Sequence, residues 1–105
     1  MNTEEFSVVI GKKQVRLARQ VDGSWIAACT CPVLNCPVHI PLKDEEVRRL
    51  FARGGRQGLI QDILPNTPRQ LREIFVTGMT PAELDRTFSL GVRPRKAYRR
   101  LGYQC

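Results

Sequence analysis

Two adjacent stretches of 13 residues share a pattern that restricts how this part of the chain can fold. Residues 67–79 read TPRQLREIFVTGM and residues 80–92 read TPAELDRTFSLGV, with five identical positions. Each stretch starts with Thr-Pro, has Gln or Glu three residues after the Thr, and has Gly near its end. Thr caps helices, Pro suits the first helical position, Gln or Glu completes a capping box, and Gly commonly follows the last helical residue. The pattern predicts two short helices in succession.

A weaker third copy starts at Arg93. In it, Pro94, Ala97 and Leu101 occupy positions at which the first two copies have identical Pro, Leu and Phe residues. Each predicted helix spans about nine or ten residues, which is too short for stability in isolation. Apolar side chains recur at i, i+4 spacing, which gives each helix a narrow apolar stripe. We therefore expect the three helices to pack together.

The positive charge of the chain is concentrated in its C-terminal part, which contains the repeat. Seventeen Lys and Arg against ten Asp and Glu give a net charge of +7, and thirteen of the seventeen are Arg. Arg makes planar, bidentate contacts with phosphate and carboxylate groups. The sequence predicts an acidic partner, with nucleic acid as the leading candidate, and an acidic protein surface or a merely solvated basic face as alternatives. Six basic residues and no acidic side chain occur from position 86 onward: Arg86, Arg93, Arg95, Lys96, Arg99 and Arg100.

The segment LGVRPRKAYRRL, residues 90–101, resembles the turn and recognition helix of helix-turn-helix DNA-binding proteins. The resemblance covers residues 80–103. It implies a supporting helix over residues 80–89 and a recognition helix over residues 94–101. It also implies that Arg95, Lys96, Tyr98 and Arg99 lie nearest the DNA groove. Together with Arg86, Arg93 and Arg100, these residues form the predicted nucleic-acid-binding set. Independently of the resemblance, Tyr98 is a candidate for stacking on bases, with packing in the core as the alternative.

Three cysteines and the single histidine of the chain fall within eleven residues, as Cys29, Cys31, Cys36 and His39. Three thiolates and one imidazole can form a tetrahedral zinc site. The close spacing therefore predicts a structural zinc site in a Cys/His loop over residues 29–42. Buried reduced thiols and a disulfide are the alternatives. Cys105 is predicted to be a free thiol.

The remaining patterns predict an α+β fold in a single domain, residues 1–105. Apolar and polar residues alternate over residues 1–28 around the turn signals Gly11-Lys12-Lys13 and Asp22-Gly23, which predicts an antiparallel three-stranded β-meander. After the Cys/His loop, residues 43–105 are helical and basic, with four or five short helices that end in a helix-turn-helix-like tri-helical unit. The first of these helices is predicted to have Asp44 as its N-cap.

The sequence contains neither a Gly-rich phosphate loop nor an HExxH motif, so no enzymatic activity is predicted. It also lacks an apolar run of 18 residues, and its first residues, MNTEEF, are acidic rather than basic. We therefore predict no membrane span and no secretion signal, and a cytoplasmic location.

Overall fold

The computed structural model describes residues 4–52, 60–88, 91 and 93–105, and all structural statements concern these residues. The predicted α+β class is confirmed. Four antiparallel strands form one sheet in the order β1-β2-β3-β4, so each strand pairs with its neighbour in the sequence. The strands are β1 (Glu5–Ile10), β2 (Lys13–Arg19), β3 (Trp25–Cys31) and β4 (Cys36–Leu42). The meander is thus one strand longer than predicted.

Short helices follow the sheet, as predicted, but the described residues contain six of them rather than four or five. The helices of the repeat region have four to seven residues, fewer than the predicted nine or ten. In the part of the chain that the structure describes, none of them is long and apolar enough to cross a bilayer. The sequence RGGR at residues 53–56 is typical of a connector between two helices, and it lies outside the described residues. The helices are α1 (Asp44–Ala52), α2 (Ile60–Ile63), α3 (Arg69–Arg72), α4 (Ile74–Thr77), α5 (Pro81–Thr87) and α6 (Arg95–Arg100).

The prediction of a Cys/His loop over residues 29–42 is wrong, because these residues form most of a β-hairpin. Cys31 pairs with Cys36 across a four-residue turn, and β4 continues to Leu42. The prolines that suggested a loop lie where an edge strand tolerates them. The N–H of His39 points away from β3, to the carbonyl of Gly102 at 2.9 Å, so Pro37 and Pro41 also have their nitrogens on the outer edge. No hydrogen bond with β3 is lost there.

The two faces of the sheet differ in burial because side chains alternate along each strand. One face carries Val15, Ala27 and Val38, which are fully buried. Leu71 and Ile74 from the helices join the same apolar cluster. The helices therefore cover this face, and the other face remains open to solvent.

The capping residues that the 13-residue repeat predicts are present in its second copy but not in its first copy. Thr80 caps α5 with Pro81 as the first helical residue, and Glu83 completes the predicted capping box. In the first copy Pro68 occupies the N-cap position, and Thr67 is buried and makes no cap. Gly78 ends α4, as predicted. It adopts the left-handed conformation, and a Cβ there would clash with the carbonyl oxygen of Ile10.

The N-cap predicted for α1 is also wrong. The amide of Val47 donates to the carbonyl of Lys43 at 3.1 Å, so Lys43 holds the N-cap position, and its own N–H donates to Glu46 at 2.9 Å. Asp44 is the first helical residue. Its carboxylate accepts a hydrogen bond from the indole N–H of Trp25 at 2.8 Å, which holds the start of α1 against β3.

The segment after α6 lies along the free edge of β4. The amide of Gln104 donates to the carbonyl of Pro37 at 2.8 Å, and Tyr103 forms a β-bridge with Val38. Tyr103 is buried, and its hydroxyl accepts a hydrogen bond from the amide of Ala82 at 3.0 Å. The segment therefore covers the sheet edge and contacts the first turn of α5.

Candidate nucleic-acid interface

Helix α6 presents four cations on one side. With about 100° of rotation per residue, positions 95, 96, 99 and 100 span an arc of about 140°. All four residues are exposed, and none has a carboxylate partner among the described residues. We call this surface, formed by Arg95, Lys96, Arg99 and Arg100, the basic face of α6.

The opposite side of α6 is anchored by Tyr98, which is 1% exposed. Its hydroxyl donates to Oδ2 of Asp85 at 2.7 Å and accepts a hydrogen bond from the amide of Arg93 at 3.2 Å. Burial raises the pKa of Tyr98, and the hydrogen bond to the Asp85 carboxylate raises it further. The phenol therefore stays protonated, and it links α6 to α5.

Arg93 belongs to this buried contact rather than to the basic face. Its guanidinium donates to Oδ1 of Asp85 at 3.2 Å, so its charge is matched by a carboxylate that is 3% exposed. An unpaired carboxylate at this depth would be costly, and Arg93 removes that cost. Arg93 was predicted to contact nucleic acid, but the structure assigns its charge to an internal ion pair.

Tyr98 was predicted to be close to a nucleic-acid groove and available for stacking, and its burial contradicts this role. Arg86 lies in the last turn of α5 and is exposed, without an ion pair among the described residues. Of the predicted set, the structure therefore leaves five cations exposed and without an ion pair among the described residues: Arg86, Arg95, Lys96, Arg99 and Arg100.

The connection between α5 and α6 bears on the helix-turn-helix resemblance. Helix α6 at Arg95–Arg100 falls within the predicted recognition helix, and α5 at Pro81–Thr87 falls within the predicted supporting helix. Residues 88–94 separate the two helices, whereas the turn of a helix-turn-helix motif has about three or four residues. Residues 89, 90 and 92 lie outside the described part of the chain. The helix-turn-helix assignment stays a prediction.

The four residues predicted to bind zinc do not converge. In the β3–β4 pairing, Cys29 lies opposite Val38 and Cys31 opposite Cys36, so the three cysteines share the buried face. His39 lies opposite Ala28 and belongs to the solvent-facing side. In the described part of the chain, no three His, Cys, Asp or Glu side chains are close enough to hold a metal ion. The arrangement gives the zinc prediction no support.

Each cysteine has a different environment. Cys29 is a free, buried thiol whose pKa is raised to about 11 by its burial. Cys31 is also free and buried, and it accepts a hydrogen bond from the Thr80 hydroxyl at 3.0 Å, beneath the cap of α5. Cys36 forms a disulfide with Cys105, with the two Cα atoms 5.6 Å apart. The prediction of a free thiol at Cys105 is therefore wrong.

The disulfide lies beside the first turn of α6. The Nη1 atom of Arg95 is 3.8 Å from Sγ of Cys36. Both ends of α6 are thus held: Tyr98 and Arg93 attach it to α5, and the disulfide attaches the following segment to β4. The basic face is built on a helix whose inner side is fixed at several points.

The chain matches no protein family model, no curated protein and no solved structure. The functional argument consequently depends on the charges and geometry of the chain itself.

Proposed function

We propose that the protein binds nucleic acid through the basic face of α6, without catalysing a reaction. The observation that carries the proposal is the division of one short helix into two sides. Tyr98 anchors the inner side, and four exposed cations with no carboxylate partner among the described residues occupy the outer side. Phosphate contacts from Arg and Lys provide most of the affinity of non-specific nucleic-acid binding.

The dimensions of α6 are compatible with a groove or a phosphate backbone. Six residues give a helix about 9 Å long, and a B-DNA major groove is about 12 Å wide. Three of the four cations are Arg, which can contact either phosphates or guanine edges. Arg86 on α5 is exposed and adds a fifth cation to this part of the sequence. Duplex DNA is therefore the first ligand to test, and single-stranded DNA and RNA are the comparison.

The experiment measures the affinity for labelled duplex DNA over a range of salt concentrations. Four phosphate contacts predict a slope of log K against log salt of about −3.6, which corresponds to roughly 150-fold weaker binding at 200 mM than at 50 mM salt. The variant K96Q/R99Q removes two contacts and should reduce the slope to about −1.8. Both residues are exposed, so we expect the variant to keep its fold.

The control R48Q/R49Q removes the same charge from α1, where both arginines form ion pairs with carboxylates of their own helix. It should retain the wild-type slope. Equal weakening in the two variants would mean that net charge alone attracts the ligand, and would refute the interface. If neither duplex nor single strands bind, but K96Q/R99Q weakens binding of poly-glutamate, the partner is an acidic protein surface instead.

A further inference from the structure

The solvent-facing side of the sheet contains a second basic feature, separate from the basic face of α6. Arg16, Ala28 and His39 are neighbours across β2, β3 and β4, because Arg16 pairs with Ala28 and Ala28 pairs with His39. With strands about 4.8 Å apart, the backbones of Arg16 and His39 are roughly 10 Å apart. The small side chain of Ala28 lies between two long ones. A groove of about 440 Å³ results.

Hydrogen-bond donors dominate the lining of this groove. No carboxylate is among the described residues that line it. Lys13 also borders the groove, but it is engaged by Glu83 and by the carbonyl of Thr30. The side chains that can donate to a ligand are those of Lys12, Gln14, Arg16, Thr30 and His39.

The ion pair of Arg16 does not close the groove. Its Nε lies 3.0 Å from Oε1 of Glu5, and both side chains are more than half exposed. Exposed pairs of this kind contribute little to stability. The other guanidinium nitrogens remain available for a ligand, since Arg has five N–H donors.

We propose that this groove binds a phosphate group carried by a nucleotide. Cationic and neutral donors that converge around a small, carboxylate-free space match an oxyanion with several acceptor atoms. The volume is within the range of small-ligand sites, about 300 to 1,000 Å³, and leaves room for more than the phosphate itself. The phosphate belongs either to a free mononucleotide or to a nucleic-acid strand. The inference does not depend on the function proposed for α6.

One rim of the groove leads directly to α6. The N–H of His39 donates to the carbonyl of Gly102, and the N–H of Gly102 donates to the carbonyl of Arg99. A nucleic-acid strand that entered the groove at His39 would therefore lie next to the C-terminal end of α6. A free mononucleotide would contact the groove alone. This difference separates the two sources of phosphate.

The test is a titration of ¹⁵N-labelled protein followed by amide chemical shifts. The ligands are inorganic phosphate, adenosine 5′-monophosphate and a short single-stranded oligonucleotide, with sodium chloride at equal ionic strength as the blank. We expect all three phosphate ligands to shift the amides of Thr30 and His39. Additional shifts at Arg99 and Arg100 with the oligonucleotide, together with tighter binding, identify a strand as the source. Tighter binding of the mononucleotide, with shifts confined to the groove, identifies a free nucleotide.

Two variants decide whether the groove is the site. R16Q should weaken phosphate binding roughly tenfold, as expected for the loss of a charge-assisted hydrogen bond. Its matched control is R19Q, on the same strand, because Arg19 forms a similar exposed pair with Glu4 but does not line the groove. H39Q gives an independent measurement if R16Q does not fold. Shifts equal to those of chloride, or equal weakening in R16Q and R19Q, would overturn the proposal.

Discussion

The replacement of Cys105 by Ser should produce a large loss of stability, although position 105 is exposed. The disulfide joins residues 69 positions apart, so it closes a long loop in the unfolded chain. The chain-entropy relation for a loop of this length gives about 4 kcal/mol at 25 °C. A domain of this size has about 5 to 15 kcal/mol of stability in total. The loss therefore corresponds to a decrease in Tm of roughly 15 to 30 °C.

Urea denaturation of three samples measures this contribution: oxidised wild type, wild type with dithiothreitol, and Cys105→Ser. The last two should unfold together, at lower urea than the oxidised protein. Cys29→Ala is the control, because it removes a buried thiol but leaves the disulfide, so its stability should still respond to dithiothreitol. If Cys105→Ser lies within about 1 kcal/mol of the oxidised protein, the entropic reasoning is wrong.

Two further predictions concern single titratable groups. Burial raises the pKa of Glu83, but hydrogen bonds from Lys13 and Thr80 outweigh it, so the net pKa is below its usual value. The stabilisation by the ionised carboxylate is therefore complete above the pKa of Glu83 in the unfolded chain, and it is lost as the pH falls through the pKa in the folded protein. In urea denaturation, Glu83→Gln should be less stable than the wild type by about 1 to 3 kcal/mol at pH 7, and the difference should disappear in acid. A difference that does not change with pH would refute this prediction. For Cys29, a pKa of about 11 leaves roughly one thiol in ten thousand ionised at pH 7. Mass spectrometry after iodoacetamide treatment should therefore find Cys29 unmodified until the protein is denatured. Alkylation at the rate of a free thiol would contradict the burial of Cys29.

Local patterns predicted three of the four strands and one helix cap, because the determining contacts are near in sequence. Alternation located β1, β2 and most of β3, and the capping box of Thr80 and Glu83 formed as predicted. The fourth strand was missed because Cys and Pro suggested a loop. The signal was present: in CPVHIPL the apolar residues Val38, Ile40 and Leu42 alternate, and Pro occurs only at positions that face the free edge.

The candidate site was predicted only in part, because its internal contacts are distant in sequence. A run of Arg and Lys in a predicted helix located the basic face of α6. Nothing in that run indicates that Asp85, thirteen residues before Tyr98, accepts the tyrosine hydroxyl and also pairs with Arg93. The zinc prediction has no support from the structure, for a related reason. Proximity in sequence placed His39 beside the cysteines, but β-alternation puts it on the other side of the sheet from them.

The anchoring of α6 makes a final prediction that separates charge from geometry. Tyr98→Phe keeps every cation but removes the hydroxyl that donates to Asp85, a buried acceptor. We expect a loss of about 1 to 3 kcal/mol in stability. Cations on a loosened helix would have to be ordered on binding, so the affinity for DNA should also fall, with the salt slope unchanged because the number of phosphate contacts is the same.

K96Q/R99Q should show the reverse behaviour, with wild-type stability in urea and a reduced salt slope. Affinity and stability of both variants, measured on the same preparations, test whether the inner and outer sides of α6 have separate roles. A reduced slope in Tyr98→Phe would mean that the hydroxyl positions individual cations. Unchanged stability in Tyr98→Phe would mean that the contact with Asp85 does not hold α6 in place, and the division of the helix into an anchoring side and a binding side would then be incorrect.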